Sequence, residues 1–110
     1  MKKILLSLLM FSLSTPAFCG HSQGPVKSYL VTIHGKLFFQ ASAGSSRPAC
    51  STIDEWAIDL VGPNAAAGRA MLAVIMSAHA SGKSVHVYGE GKCDVWGDRE
   101  TAAGVFALER

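Results

Sequence analysis

Residues 26–34 carry a β-branched and aromatic series, Tyr29, Val31 and Ile33, interleaved with Ser28, Leu30 and Thr32. A period of two with these residue types predicts a first strand. Gly35-Lys36 predicts a bend, and residues 37–42 a second strand. The run Ala43-Gly44-Ser45-Ser46-Arg47-Pro48 reads as a loop. From Cys50 onward, Trp56, Ile58 and Leu60 fall on one face, with Ala57 and Asp59 on the other, which predicts a half-buried third strand stopped by Gly62-Pro63. Asn64 is a good N-cap, residues 65–80 are strong helix formers without proline, and Gly82 stands where a C-cap glycine belongs. Alternation returns at residues 84–88, with Val85 and Val87 inward and His86 and Tyr88 outward. Residues 92–96 are expected to continue that sheet edge, and residues 102–108 to form the last strand. Residues 20–25 are polar and contain glycine, so they are expected to be a loose arm.

Three short strands, one helix and at least two further strands predict an all-β fold with one helix. A helix between strands 3 and 4 is the arrangement of the OB-fold, a five-stranded Greek-key barrel. A plain α+β sandwich is the competing arrangement.

The first residues have a different character. Lys2 and Lys3 precede an apolar run over residues 4–13, and Thr15-Pro16 then break it. Ala17-Phe18-Cys19 places small residues three and one before Gly20. These are the three parts of a secretory signal peptide, so residues 1–19 are expected to be cleaved and residues 20–110 to form a single domain. The apolar run is about ten residues, where a membrane span needs about twenty. No membrane insertion is expected after cleavage. Cleavage after Ala17 is the competing site. Lipid attachment at Cys19 is a third reading, disfavoured because Phe18 occupies a position where that signal wants a small residue.

Export changes the meaning of charge and cysteine. The net charge of +2 includes Lys2 and Lys3, and without them eight basic residues face eight acidic ones. A neutral domain has no long-range field for phosphate backbones, which argues against nucleic acid as a partner. Loss of Cys19 leaves Cys50 and Cys93. An even pair in an oxidising compartment reads as a disulfide, worth about 4 kcal/mol by chain entropy for so long a loop. The expected location is secreted or periplasmic.

Little here resembles a catalytic centre. His21, His34, His79 and His86 show no metal-ligand spacing, and no serine sits in a Gly-x-Ser-x-Gly turn. Asp54-Glu55 begin a strand, so their side chains diverge and do not suit paired acid–base work. No enzyme activity, metal or cofactor is expected. Trp96 with Asp94, Asp98 and Glu100 is the most suggestive cluster, because a tryptophan face beside carboxylates can stack on and hydrogen-bond a sugar ring. A structural tryptophan near a solvated turn is the plainer reading, and core the plainer one for Trp56. The helix is apolar or alanine nearly all round, which points to burial on more than one side.

The segments Ser42-Ala43-Gly44-Ser45-Ser46, Ala49-Cys50-Ser51 and Trp56, then Ser81-Gly82-Lys83-Ser84-Val85-His86-Val87-Tyr88, resemble the B subunits of the subtilase cytotoxin and pertussis-like (typhoid) toxin group. Gly91-Lys92-Cys93-Asp94-Val95-Trp96-Gly97-Asp98 is similar to related small exported bacterial proteins. The resemblance covers roughly residues 28–88. It implies an OB-fold homo-oligomer, a pentamer in the toxins, that recognises cell-surface glycans beside an A subunit. It makes Ser28 the nearest match to the family's pocket serine; Trp96 and Asp98, from the local cluster above, are the other candidate glycan-binding residues. It also implies a subunit contact on the helix, here at Arg69, Ala73 and Met76. The cysteine placement differs from the toxins, and their pocket-flanking aromatic and acidic residues have no match near residues 20–27. The fold therefore carries over more directly than the sugar. A monomeric periplasmic protein with a structural or envelope-stress role is the alternative function.

Overall fold

A computed structural model describes residues 19–109. It is mostly β with one helix: β1 His21–Pro25, β2 Ser28–Val31, β3 Lys36–Gln40, β4 Trp56–Asp59, α1 Ala65–Ser81, β5 Ser84–Gly89 and β6 Glu100–Ala107. The strands form one mixed sheet in the order β1-β5-β6-β4-β3-β2. β4 and β6 run parallel and every other neighbouring pair antiparallel. The expected signal peptide, apart from Cys19, lies outside the described residues. No described helix is long and apolar enough to cross a membrane.

Among the described residues six strands are present rather than five, the ladder is not closed, and the helix follows the fourth strand rather than the third. The extra strand is β1, in the segment expected to be a loose arm. His-Ser-Gln-Gly-Pro has poor strand propensity, and the ladder with β5 overrides it, from His21 opposite Tyr88 to Pro25 opposite Ser84. Gly24 suits the place, since a Cβ there would lie 2.8 Å from that of Ser42. Residues 92–96 are not a strand. They belong to a loop over residues 90–99, closed by an isolated bridge between Trp96 and Arg99.

The ends of the sheet lie close in sequence. Only Val26 and Lys27 separate β1 from β2, and the Lys27 amide donates to the Gln40 carbonyl at 2.8 Å, extending the β2–β3 ladder. The chain after β3 runs back along β1, where His21 and Ser45 exchange backbone hydrogen bonds of 3.0 and 2.9 Å.

Leu37 and Phe39 of β3, Trp56 and Ile58 of β4, and Val85 and Val87 of β5 point into one core. The helix covers it with Ile75 and Ala78, and Met71 and Leu72 lie alongside. Gly82 caps α1 in the left-handed region at φ 71°. Asn64 makes no side-chain cap; its carbonyl accepts from the Gly68 amide instead. Gly68, Ile75 and Ala78 are the helix's buried residues, all on one side. Within this chain the sheet covers one side of the helix.

Candidate functional site

Alternation along β3 turns Phe38 away from the core, yet only 6% of it is exposed. The loop over residues 90–99 folds across it. Trp96 meets the Phe38 ring at an angle of 67° with centroids 5.2 Å apart, and the Arg99 guanidinium lies 4.4 Å from the ring centroid. Such edge-to-face and cation–π contacts add about 0.5–1.5 kcal/mol each beyond area burial. Arg99 is held on its other sides by Glu55 at 2.6 Å and Asp98 at 2.9 Å.

The loop is fastened at several points. Cys50 and Cys93 form a disulfide with Cα atoms 6.1 Å apart, tying this loop to the one after β3. The amides of Thr52 and Ile53 donate to the Asp98 carbonyl at 2.9 and 3.0 Å. The Thr101 hydroxyl donates to Asp94 at 2.6 Å, and this bond, more than the nearby Lys92, holds the Asp94 carboxyl below its usual pKa. Trp96 remains 38% exposed, and the Asp98 carboxylate is also in solvent reach. The result is an indole presented from a braced loop, with a carboxylate two residues away.

Ser28 is exposed on β2. It pairs with Gln40 as Leu30 pairs with Phe38, so Ser28, Leu30, Phe38 and Gln40 share one face of the sheet. Ser28 and the Trp96–Asp98 loop thus border the same surface. On the helix, Arg69, Ala73 and Met76 are all exposed, and Arg69 also donates from Nε to the Leu60 carbonyl at 3.1 Å.

A second surface escaped the sequence reading. The rings of His21 on β1 and His86 on β5 stack with centroids 6.1 Å apart, and His86 stacks on Phe106 of β6 at 5.0 Å. Tyr88 and Phe106 are each 48% exposed. The outward turn of His86 and Tyr88 was legible in the alternation of β5. His21 was not, because its segment reads as an arm. A groove of about 150 Å³ lies between α1 and the sheet, lined by Asp59, Asn64, Gly68, Met71, Glu90 and Ala102. It falls below the roughly 300–1,000 Å³ of ordinary small-molecule sites. Among the described residues, no group of three or more His, Cys, Asp or Glu is placed to hold a metal ion.

Comparison of the chain with protein-family models, with curated proteins and with solved structures finds no match.

Proposed function

We propose that this chain is the precursor of an exported, non-catalytic binding protein. Its domain is a variant OB-fold, and its ligand is a cell-surface glycan held at Trp96. The disulfide supports export, since such bonds persist in oxidising compartments. Topology supports the fold. With β1 and β2 counted as one strand bent at Val26-Lys27, the order becomes 1-4-5-3-2-1, the helix follows the third strand, and the parallel pair is the third with the fifth. In that architecture the face of strands 2 and 3, under the loop joining strands 4 and 5, binds oligosaccharides or oligonucleotides. Phe38 and the Trp96 loop occupy that place, and the charge balance disfavours nucleic acid.

The observation that carries the proposal is the half-exposed Trp96, standing on Phe38 in a disulfide-fastened loop beside Asp98. An indole held in place loses little entropy when a sugar ring stacks on it. Ser28 borders the same face and supplies a hydroxyl. By resemblance to the toxin B subunits the protein is a homo-oligomer, pentameric in form, with an A subunit as partner. The alternative is a monomeric periplasmic protein with a structural or envelope-stress role.

A glycan array probed with the disulfide-bonded protein tests the reading, followed by titration of any sugar that scores. Trp96→Ala is expected to weaken binding about tenfold or more, the size typical of a central aromatic contact, while Tyr88→Ala on the other surface leaves it unchanged. Equal binding by Trp96→Ala and parent would overturn the site.

A further inference from the structure

Glu100 is the most deeply buried charged residue described, with 1% of its surface exposed. Among the described residues it forms no ion pair. Its neighbour Arg99 is turned to Glu55 and Asp98 instead. An isolated carboxylate is costly to bury, and proteins pair such groups. What surrounds this one is backbone. The Gly20 nitrogen lies 3.1 Å from Oε1 and 2.9 Å from Oε2, and the Gly91 amide donates to Oε2 at 2.9 Å.

The pocket is shaped for this contact. A Cβ at Gly20 or at Gly89 would collide with the carboxylate, so glycine at both positions makes room for it. Gly20 is itself buried, and its carbonyl accepts from the Gly89 amide at 2.9 Å. Cys19, one residue earlier, is exposed. A peptide amide has one hydrogen, and here it is shared between two oxygens. An ammonium has three, and would satisfy both oxygens with separate charge-assisted bonds.

We propose that Gly20 is the first residue of the mature protein, and that its α-ammonium forms a buried ion pair with Glu100. The processing half rests on the export reading given above; the ion pair requires only a chain that begins at Gly20. The step is hydrolysis of the Cys19–Gly20 peptide bond by a signal-processing protease. Water supplies the hydroxyl that completes the Cys19 carboxylate, and the released Gly20 amine takes up a proton. Removal of residues 1–19 thereby creates the cation that Glu100 lacks in the precursor. The Cys19–Gly20 bond is also one of the two peptidase sites that the small residues at Ala17 and Cys19 allow.

The test uses a chain released at Gly20 from a cleavable fusion without extra residues, and the same chain carrying one added N-terminal alanine. Both are made with Glu100 and with Glu100→Gln, and the folding equilibrium is measured by urea denaturation at pH 7. With Glu100, the added alanine is expected to lower the folding constant about tenfold or more, as loss of one partner of a buried pair does. With Glu100→Gln its effect should nearly vanish. Equal effects in the two backgrounds overturn the ion pair. Should Glu100→Gln fail to fold, acetylation of the parent's α-amine decides the matter. Slow reaction in the folded state and fast reaction in urea support the pair, and equal rates overturn it. Mass spectrometry of the exported protein tests the processing half. A first residue of Gly20 supports it; a start at Phe18, or a lipidated Cys19, overturns it while leaving export intact. Retention of the whole chain inside the cell overturns export and the processing half together, and the released chain still decides the ion pair.

Discussion

Arg99 shows how one side chain organises the candidate site. Its guanidinium lies over Phe38, forks to Glu55 and Asp98, and is 14% exposed. A lysine carries the same charge but cannot stack flat or form the fork. Arg99→Lys is expected to lower stability by about 1–2 kcal/mol, read as a shift in the urea midpoint. Asp59 gives a prediction about pH. The hydrogen bond from the Lys36 ammonium at 3.1 Å, with a second from the Val61 amide, holds its carboxyl below the usual value. A carboxyl with a lower pKa in the folded than in the unfolded state stabilises the fold above the unfolded value, near 3.9, and that stability is lost as pH falls through the folded value. Denaturation of parent and Asp59→Asn is therefore expected to differ by about 1 kcal/mol or less at neutral pH. The gap should close below the carboxylate range. A gap that persists unchanged in acid would mean that the Lys36–Asp59 pair contributes nothing.

Among elements, α1 is set by one close approach. Glycine inside a helix costs about 1 kcal/mol relative to alanine, so residue 68 reads from sequence as a weak point. In the fold it is where α1 meets β4: a Cβ at Gly68 would lie 2.1 Å from the Asp59 carbonyl oxygen. Backbone cannot yield as a flexible side chain would. Gly68→Ala is expected to destabilise by about 1–3 kcal/mol despite its better propensity, seen as a lower thermal midpoint. The same contrast decides what was legible. The core strands declared themselves because Leu37, Phe39, Trp56, Ile58, Val85 and Val87 alternate inward as their spacing predicts. The helix was legible through its composition and Gly82, and the disulfide through the count of cysteines. β1 was hidden because its strand character comes from β5, not from its own residues. The segment over residues 92–96 read as a continuation of the sheet edge because Val95 and Trp96 have strand propensity. Its actual path is set by long-range ties: the disulfide, the Asp94–Thr101 bond and the Trp96–Phe38 contact. Trp96 was identifiable as a candidate from its neighbours in sequence. That Phe38 supports it was not, since Phe38 lies far from Trp96 in sequence and the fold brings the two rings together.

At the scale of the whole molecule, the proposed oligomer makes a demand on one side of the protein. β2 ends the sheet, and none of its four residues is buried. Leu30 and Val31 are exposed, and Ile33 in the following turn is 98% exposed. A Cβ at Gly35 would strike Val61, so the exposed Val61 lies against that same turn. Tyr29 meets His79 edge-on at 5.4 Å, which brings the end of α1 carrying Met76 beside β2. An edge strand with apolar residues and no proline or inward charge is a template for pairing with another chain. A second copy of this chain is the partner that the proposed homo-oligomer requires. Light scattering coupled to size exclusion is expected to give a mass several times that of one protomer. Val31→Lys is expected to reduce it to one protomer with the circular dichroism unchanged, because Val31 contributes nothing to the core. A multimeric protein would then hold several copies of the Trp96 site on one body, and weak single-site binding to a glycan surface would be multiplied through effective concentration. A parent that runs as a monomer would remove that multiplication. Each Trp96 site would have to bind unaided, and the periplasmic reading would become the stronger of the two.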